Sequence, residues 1–329
     1  MILYQKIESK LAIERDFDIK SNEIPVSSCL DVVNPSSEDL DLIVKRTGIP
    51  LDFLLPSLDP AESARVDLED DNTLIVLDVP IELITEEDKK SKKKIDYKVS
   101  YETIPLVVVS NSNYIVTISK VDTGLPGFVA NKTKIVEPNK HVRLSLQILF
   151  RLAQQFITFL KRMDYESKVI EKKLRSSLKN KEIFELMSLN EMLVYFSTAL
   201  NGNKNVLEKL KRLPQYKQYE DDYDLIEDVQ VEFNQAIEMC SVFRDILSGM
   251  MDAFASIISN NLNIVMKTLS IITIVISIPT LIASLFGMNF ASMPFYNSDN
   301  AFWIVVAVSA GVAAIGAIAL AFLDKFRRK

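Results

Sequence analysis

Two uncharged apolar blocks near the C-terminus constrain this chain more than any other feature. Between Lys267 and Asp299 there is no Asp, Glu, Lys or Arg, and residues 301–323 are again free of charge. Each block exceeds the roughly 20 apolar residues that a helix needs to cross a bilayer. The composition hides this: 38 Lys and Arg against 44 Asp and Glu, a net charge of −6, would suit an ordinary soluble protein. The charges are concentrated in the N-terminal two thirds, so the sequence predicts a membrane protein with a large soluble N-terminal part.

Composition also excludes classes. His141 is the one histidine and Cys29 and Cys240 are far apart, so one chain cannot assemble a His/Cys zinc constellation. Both cysteines read as buried reduced thiols of a cytosolic domain. None of the eight glycines forms GxxxxGK[ST] or GxGxxG. An acidic chain without a long basic stripe is a poor nucleic-acid binder. Residues 1–18 mix charges with apolar residues and do not read as a signal peptide. With one histidine and no nucleotide or nucleophile motif, the chain does not read as an enzyme.

The fold class expected is an α+β membrane protein. Residues 1–140 form an α/β domain, with strands at 73–79, 103–110 and 114–119 by β-branched content. Ser36, Ser37, Glu38 and Asp39 read as a helix start. The charged run 86–94 reads as a solvated hairpin loop. Residues 141–221 read as long antiparallel helices: Leu144, Ile148, Leu152, Phe156 and Phe159 recur at helical spacing, and a second helix covers 181–213, with Asn201-Gly202-Asn203 as an interruption. Residues 222–290 read as a stalk helix entering the membrane at about 268–288; as one helix, 222–286 would span ~98 Å. A short loop follows at 291–300, then a second span at 301–323 and a basic tail at 324–329. The tail has four basic residues and the loop none, so the positive-inside rule puts both termini in the cytoplasm, with Phe302 and Trp303 at the outer interface.

In the first span the polar residues fall on one face: Asn263, Ser270, Thr273, Ser277, Thr280 and Ser284 are spaced 7, 3, 4, 3 and 4, the period of a coiled coil. Unpaired hydroxyls are costly in hydrocarbon, so the stripe must meet helices or water. It is either a packing face or the wall of a pathway ringed by identical helices, and both readings call for several copies of the chain. In the second span Ser309, Ala313, Ala317 and Ala321, with Ala307 and Gly311, read as a close-packing seam on an outer helix.

Beyond the first span comes Phe286-Gly287-Met288-Asn289-Phe290. With the preceding Pro279-Thr280-Leu281-Ile282-Ala283-Ser284, the loop pair Met293-Pro294 and the basic tail, it resembles the signature of the CorA-type divalent-cation transporters. The resemblance covers the last ~75 residues well and the rest in layout only. It implies a funnel-shaped homopentamer in the cell (inner) membrane that passes Mg²⁺, with Co²⁺ or Ni²⁺ as further substrates, into the cytoplasm, with no organic cofactor.

The resemblance further implies a selectivity filter of Gly287, Met288 and Asn289, with Asn289 offering a ring of amide oxygens to a hydrated ion. Thr280, Ser277, Thr273, Leu269, Met266 and Asn263 would continue the pathway inward, Leu269 and Met266 as an apolar constriction. Asp252 would form an acidic ring at the cytoplasmic mouth. Among Glu220, Asp221, Asp222, Asp224, Glu227 and Asp228, it implies regulatory Mg²⁺ at Asp228 and Asp224, with Asp67, Asp70 or Asp71 as partner; a merely charged helix start is the plain alternative. The loop departs from the family in having Phe295 after Met293-Pro294, where an acid is common, leaving Asp299 as its only acid. A zinc transporter of the same superfamily and a non-conducting membrane-anchored sensor are the rival functions.

Overall fold

A computed structural model of the chain describes residues 1–7, 10–83, 100–125, 140–176, 180–217, 220–288 and 300–327. It divides into two compact units, Met1–Gly249 and Met250–Lys329.

In the first unit β1 (Ile2–Ile7), β2 (Lys10–Arg15), β3 (Ser28–Val33), β4 (Arg65–Glu69), β5 (Asn72–Leu83), β6 (Ser100–Ser110) and β7 (Tyr114–Ser119) form one sheet in the order β2-β1-β3-β7-β6-β5-β4. Only the β3–β7 pair is parallel. Leu74, Val76, Val107, Val109, Val116 and Ile118 join Leu40, Ile43, Phe53 and Leu54 in one core with the helices α1 (Ser37–Thr47) and α2 (Leu51–Leu54). The intervening Ile75, Leu77, Val108 and Ile115 are equally buried. Coverage of both faces explains why β5 and β6 read as near-continuous apolar runs. All three expected strands are present, longer at β5 and β6. Helix α1 begins as anticipated, with a reciprocal capping box: Ser36 Oγ accepts from Asp39 N–H (3.2 Å) and Asp39 Oδ2 accepts from Ser36 N–H (3.0 Å). It ends at Gly48, in the left-handed region at φ 73°. The run 86–94 lies outside the described residues, although β5 and β6 pair antiparallel up to Leu83 and Ser100.

Helices α3 (His141–Ser176) and α4 (Asn180–Leu210) follow. Edge-on aromatic contacts, Tyr101 with Phe159 (centroids 5.4 Å) and Phe156 with Phe196 (5.3 Å), join β6 to both. The expected interruption at Asn201-Gly202-Asn203 does not occur, since α4 runs through it. Asn203 is fully buried: its Oδ1 accepts from Asp78 N–H (2.9 Å) and its Nδ2 donates to Asp78 O (2.8 Å). Gly202 allows the approach, since a Cβ there would stand 3.2 Å from Ala64 Cβ. Cys29 and Cys240 are buried free thiols.

Helix α5 (Glu220–Phe286) starts in the first unit and ends in the second. In the first unit its buried residues are Asp222, Ile226, Val229, Phe233, Ala236, Cys240, Phe243 and Leu247, spaced 4, 3, 4, 3, 4, 3 and 4. Its C-terminal part is long and apolar enough to cross a membrane, its most apolar 18 residues having a mean hydropathy of 2.3. In the second unit α6 (Ala301–Arg327) packs against it, Gly316 lying where a Cβ would be 3.4 Å from Ile278 Cδ1. Ser309, Ala313 and Ala317 lie on the covered side, as the small-residue seam suggests, whereas Ala307 and Gly311 are exposed; the close-approach glycine is Gly316.

Candidate functional site

The expected pathway residues are side chains of α5, placed by its heptad spacing. In the second unit Ile271, Val275, Ile278 and Ile282, spaced 4, 3 and 4, are partly covered. Asn263, Met266, Leu269, Ser270, Thr273, Ser277, Thr280 and Ser284 are all exposed, Met266 and Leu269 by 54% and 56%. At 100° per residue the centre of the stripe, Thr273 to Ser284, lies about 160° around the helix from the covered row. The polar face is thus the one that α6 leaves open.

Four of the five hydroxyls on this face donate within the helix. Ser270, Thr273, Ser277 and Thr280 donate to the carbonyls of Met266 (2.9 Å), Leu269 (2.9 Å), Thr273 (2.7 Å) and Ile276 (2.9 Å). Their protons are used locally, and what they present outward is oxygen lone pairs. A face of acceptors suits a cation better than it suits a hydrogen-bonding helix.

At its C-terminal end, α5 stops at Phe286 and Gly287 N–H bonds to the carbonyls of Ala283 (2.9 Å) and Ser284 (3.2 Å). Gly287 is not among the residues at positive φ, and a Cβ there would meet only those two carbonyls at 3.4 Å. Helix α5 thus ends immediately before Gly287, without a left-handed glycine cap. Met288 is half exposed, while Asn289, Phe295 and Asp299 lie outside the described residues.

Among the acids, Asp224, Asp228 and Asp252 are exposed on α5. Asp222 differs: it is buried, with Oδ1 3.9 Å from Arg143 Nη1. The charged helix start therefore holds one buried acid among exposed ones. The suggested partners are engaged elsewhere: Asp67 binds Arg65 Nε at 2.6 Å, and Asp71 accepts from Ser112 N–H (2.9 Å) and Oγ–H (2.8 Å). Those bonds hold the Asp71 carboxyl below its usual range. Asp70 is a turn residue at φ 51°. No group of three acidic, His or Cys ligands gathers among the described residues of one chain.

One frame relates these residues. Counting in sevens from Asp222 and Ile226, the buried row of the first unit, reaches Ile271, Ile278, Val275 and Ile282, the covered row of the second. Two places after the Asp222 series come Asp224, Glu238, Asp245, Asp252, Met266, Thr273, Thr280 and Gly287. One place before it come Asp228, Asn263, Ser270, Ser277 and Ser284. Every expected site residue on α5 except Leu269 thus shares two heptad positions. Reasoning from sequence missed Asp222 as a seam residue, although its place four before Ile226 carried the signal.

The family described as CorA-like Mg²⁺ transporter protein matches residues 28–325. The cobalt/magnesium transport protein CorA of Methanocaldococcus jannaschii is 27% identical over 304 residues, 91% of this chain and 89% of that protein. The protein of the same name from Thermotoga maritima is 27% identical over 195 residues, 59% of this chain and 54% of that one. The complete structure of the CorA magnesium transporter from Methanocaldococcus jannaschii superposes with a TM-score of 0.77 at 25% identity, covering 100% of this chain and 97% of that one. The chain belongs to the CorA-like Mg²⁺ transporter family, a family of membrane transporters of divalent cations.

Proposed function

We propose that five copies of this chain arrange α5 around a central pathway that passes Mg²⁺, and also Co²⁺ or Ni²⁺, down its electrochemical gradient into the cytoplasm. The observation that carries this reading is the opposition on α5 between the row covered by α6 and the acceptor stripe, which leaves the stripe free to face the same stripe of other copies. Mg²⁺ dehydrates reluctantly, so rings of oxygen acceptors suit a hydrated ion. Asn289 repeated around an axis supplies amide oxygens at the outer mouth, beside Gly287 and Met288, without the tight trapping of a carboxylate ring. Met266 and Leu269 form an apolar constriction that closes by dewetting. Asp252 concentrates cations at the inner mouth. Asp228 and Asp224 take up intracellular Mg²⁺ between subunits and hold the pore closed when the cell is replete. Both termini lie in the cytoplasm.

The test is Mg²⁺ uptake into proteoliposomes holding the full chain, wild type beside Asn289→Ala, with Co²⁺ and Zn²⁺ in parallel. Uptake that the substitution abolishes, or opens to other ions, supports the amide ring. A folded oligomer that moves only Zn²⁺ would indicate the zinc transporter, and one that moves no ion a membrane-anchored sensor; either result ends the Mg²⁺ reading.

A further inference from the structure

The buried row of α5 in the first unit is apolar or sulfur-bearing at every position except its first, Asp222. A row spaced 4, 3, 4, 3 repeats itself every turn or so, about 5.4 Å, so its apolar contacts alone distinguish poorly between neighbouring registers, and a helix without a fixed point exchanges among them, uncovering the row at each exchange. A buried carboxylate does not slide so freely, because moving it away from its partner leaves a desolvated charge. Arg143, in the first turn of α3, is that partner at 3.9 Å, and the two side chains are 25% and 6% exposed. The turn leading into α5 is held at the same place: Tyr216 is buried against Ser145, and Gln215 Nε2 donates to Thr73 Oγ1 at 3.3 Å.

We propose that Asp222, through Arg143, sets the axial register of α5 against the α3–α4 pair, as a positioning residue and not as a member of a cation-binding acidic patch. Its neighbours Asp224 and Asp228 occupy the exposed heptad positions, so the acidic run has two separate tasks. The register claim rests on the first unit alone; a consequence for transport rests, in addition, on the pathway proposed above.

The two native cysteines report on this without transport. Cys240 lies in the same buried row and Cys29 in the sheet. The full-length protein is treated with a maleimide and each site is followed by mass spectrometry. Asp222→Ala and Arg143→Ala should label Cys240 about tenfold faster than wild type while Cys29 stays protected, since only α5 is released. The exchanged pair, Arg143→Asp with Asp222→Arg, should restore protection. The proposal is overturned if Cys240 stays as protected as in wild type, if both cysteines become reactive together, which is general unfolding, or if the exchanged pair labels as fast as the single variants. Mg²⁺ uptake by the same variants is scored separately, so a failed pathway leaves the labelling result standing.

Discussion

The amide of Asn203 bonds to β5 as a strand edge would. Asp78 lies beyond the Arg65–Val76 pairing that ends β4, and Asn203 satisfies both its N–H and its carbonyl. Asn203→Ala leaves two buried backbone groups unpaired, and should lower stability by about 2–4 kcal/mol, read from the thermal unfolding of the detergent-solubilised protein. An Asn-Gly-Asn triplet has the composition of a turn, which is why sequence alone suggests a break. What overrides it is a contact with a strand 125 positions away, which no local pattern contains. A second residue-scale prediction concerns pH. Asp31 is buried beside Thr117, whose hydroxyl donates to it at 2.7 Å, and burial raises its carboxyl to about 6 from 3.8. A raised carboxyl makes the folded state bind its proton first. Its penalty is therefore full above pH 6 and fades as pH falls through the window from about 6 to about 4. Asp31→Asn should remove this dependence, with the variant gaining about 3 kcal/mol relative to wild type at pH 7.5 and less than about 1 kcal/mol at pH 4. Unfolding curves at both pH values check it.

At the scale of elements, periodicity makes much of the molecule legible and leaves the faces ambiguous. The stripe on α5 was visible as spacing, and so was the start of α1 in its run of hydroxyls and acids. Which side of α5 the helix α6 covers was not, because Ile271, Val275, Ile278 and Ile282 differ little in hydropathy from the isoleucines and leucines around them. The β1–β2 hairpin was equally hidden, since Lys6, Lys10, Glu14 and Arg15 break its apolar alternation. The faces, once assigned, separate stability from function. Because the hydroxyls of Thr273 and Ser277 bond only to their own helix, Thr273→Val and Ser277→Ala should change unfolding by less than about 1 kcal/mol while reducing Mg²⁺ uptake several-fold. Gly316→Leu should do the reverse. A side chain there meets Ile278 across the α5–α6 contact, so the hairpin should lose about 1–3 kcal/mol in the same unfolding assay, and ion selectivity should stay as in wild type in whatever protein remains folded. An uptake loss from the stripe variants that tracks an equal loss of stability would remove the reason for reading the stripe as a pathway.

At the scale of the whole molecule, the −6 net charge matters less than where its acids fall on α5. Glu238, Asp245 and Asp252 recur every seven residues at one of the stripe's positions, and all three are exposed. In one isolated chain, Asp252→Asn removes a single solvated charge, which has little effect at physiological salt. In a symmetric assembly the same substitution removes one charge per subunit from a single ring. A divalent cation about 10 Å from one carboxylate gains about 0.8 kcal/mol in water before screening. Five such contributions, cut to about a third by a Debye length near 8 Å, leave about 1 kcal/mol. Uptake by Asp252→Asn at low Mg²⁺ should therefore fall about fivefold at 0.15 M salt and converge with wild type near 1 M, where the Debye length is about 3 Å. Both arms are read from initial uptake rates in proteoliposomes, with Asn289→Ala, at the proposed amide ring, as a salt-independent comparison. A deficit that persists unchanged at high salt would assign Asp252 a structural role, and no deficit at either salt would mean that the copies do not bring this position to a common axis.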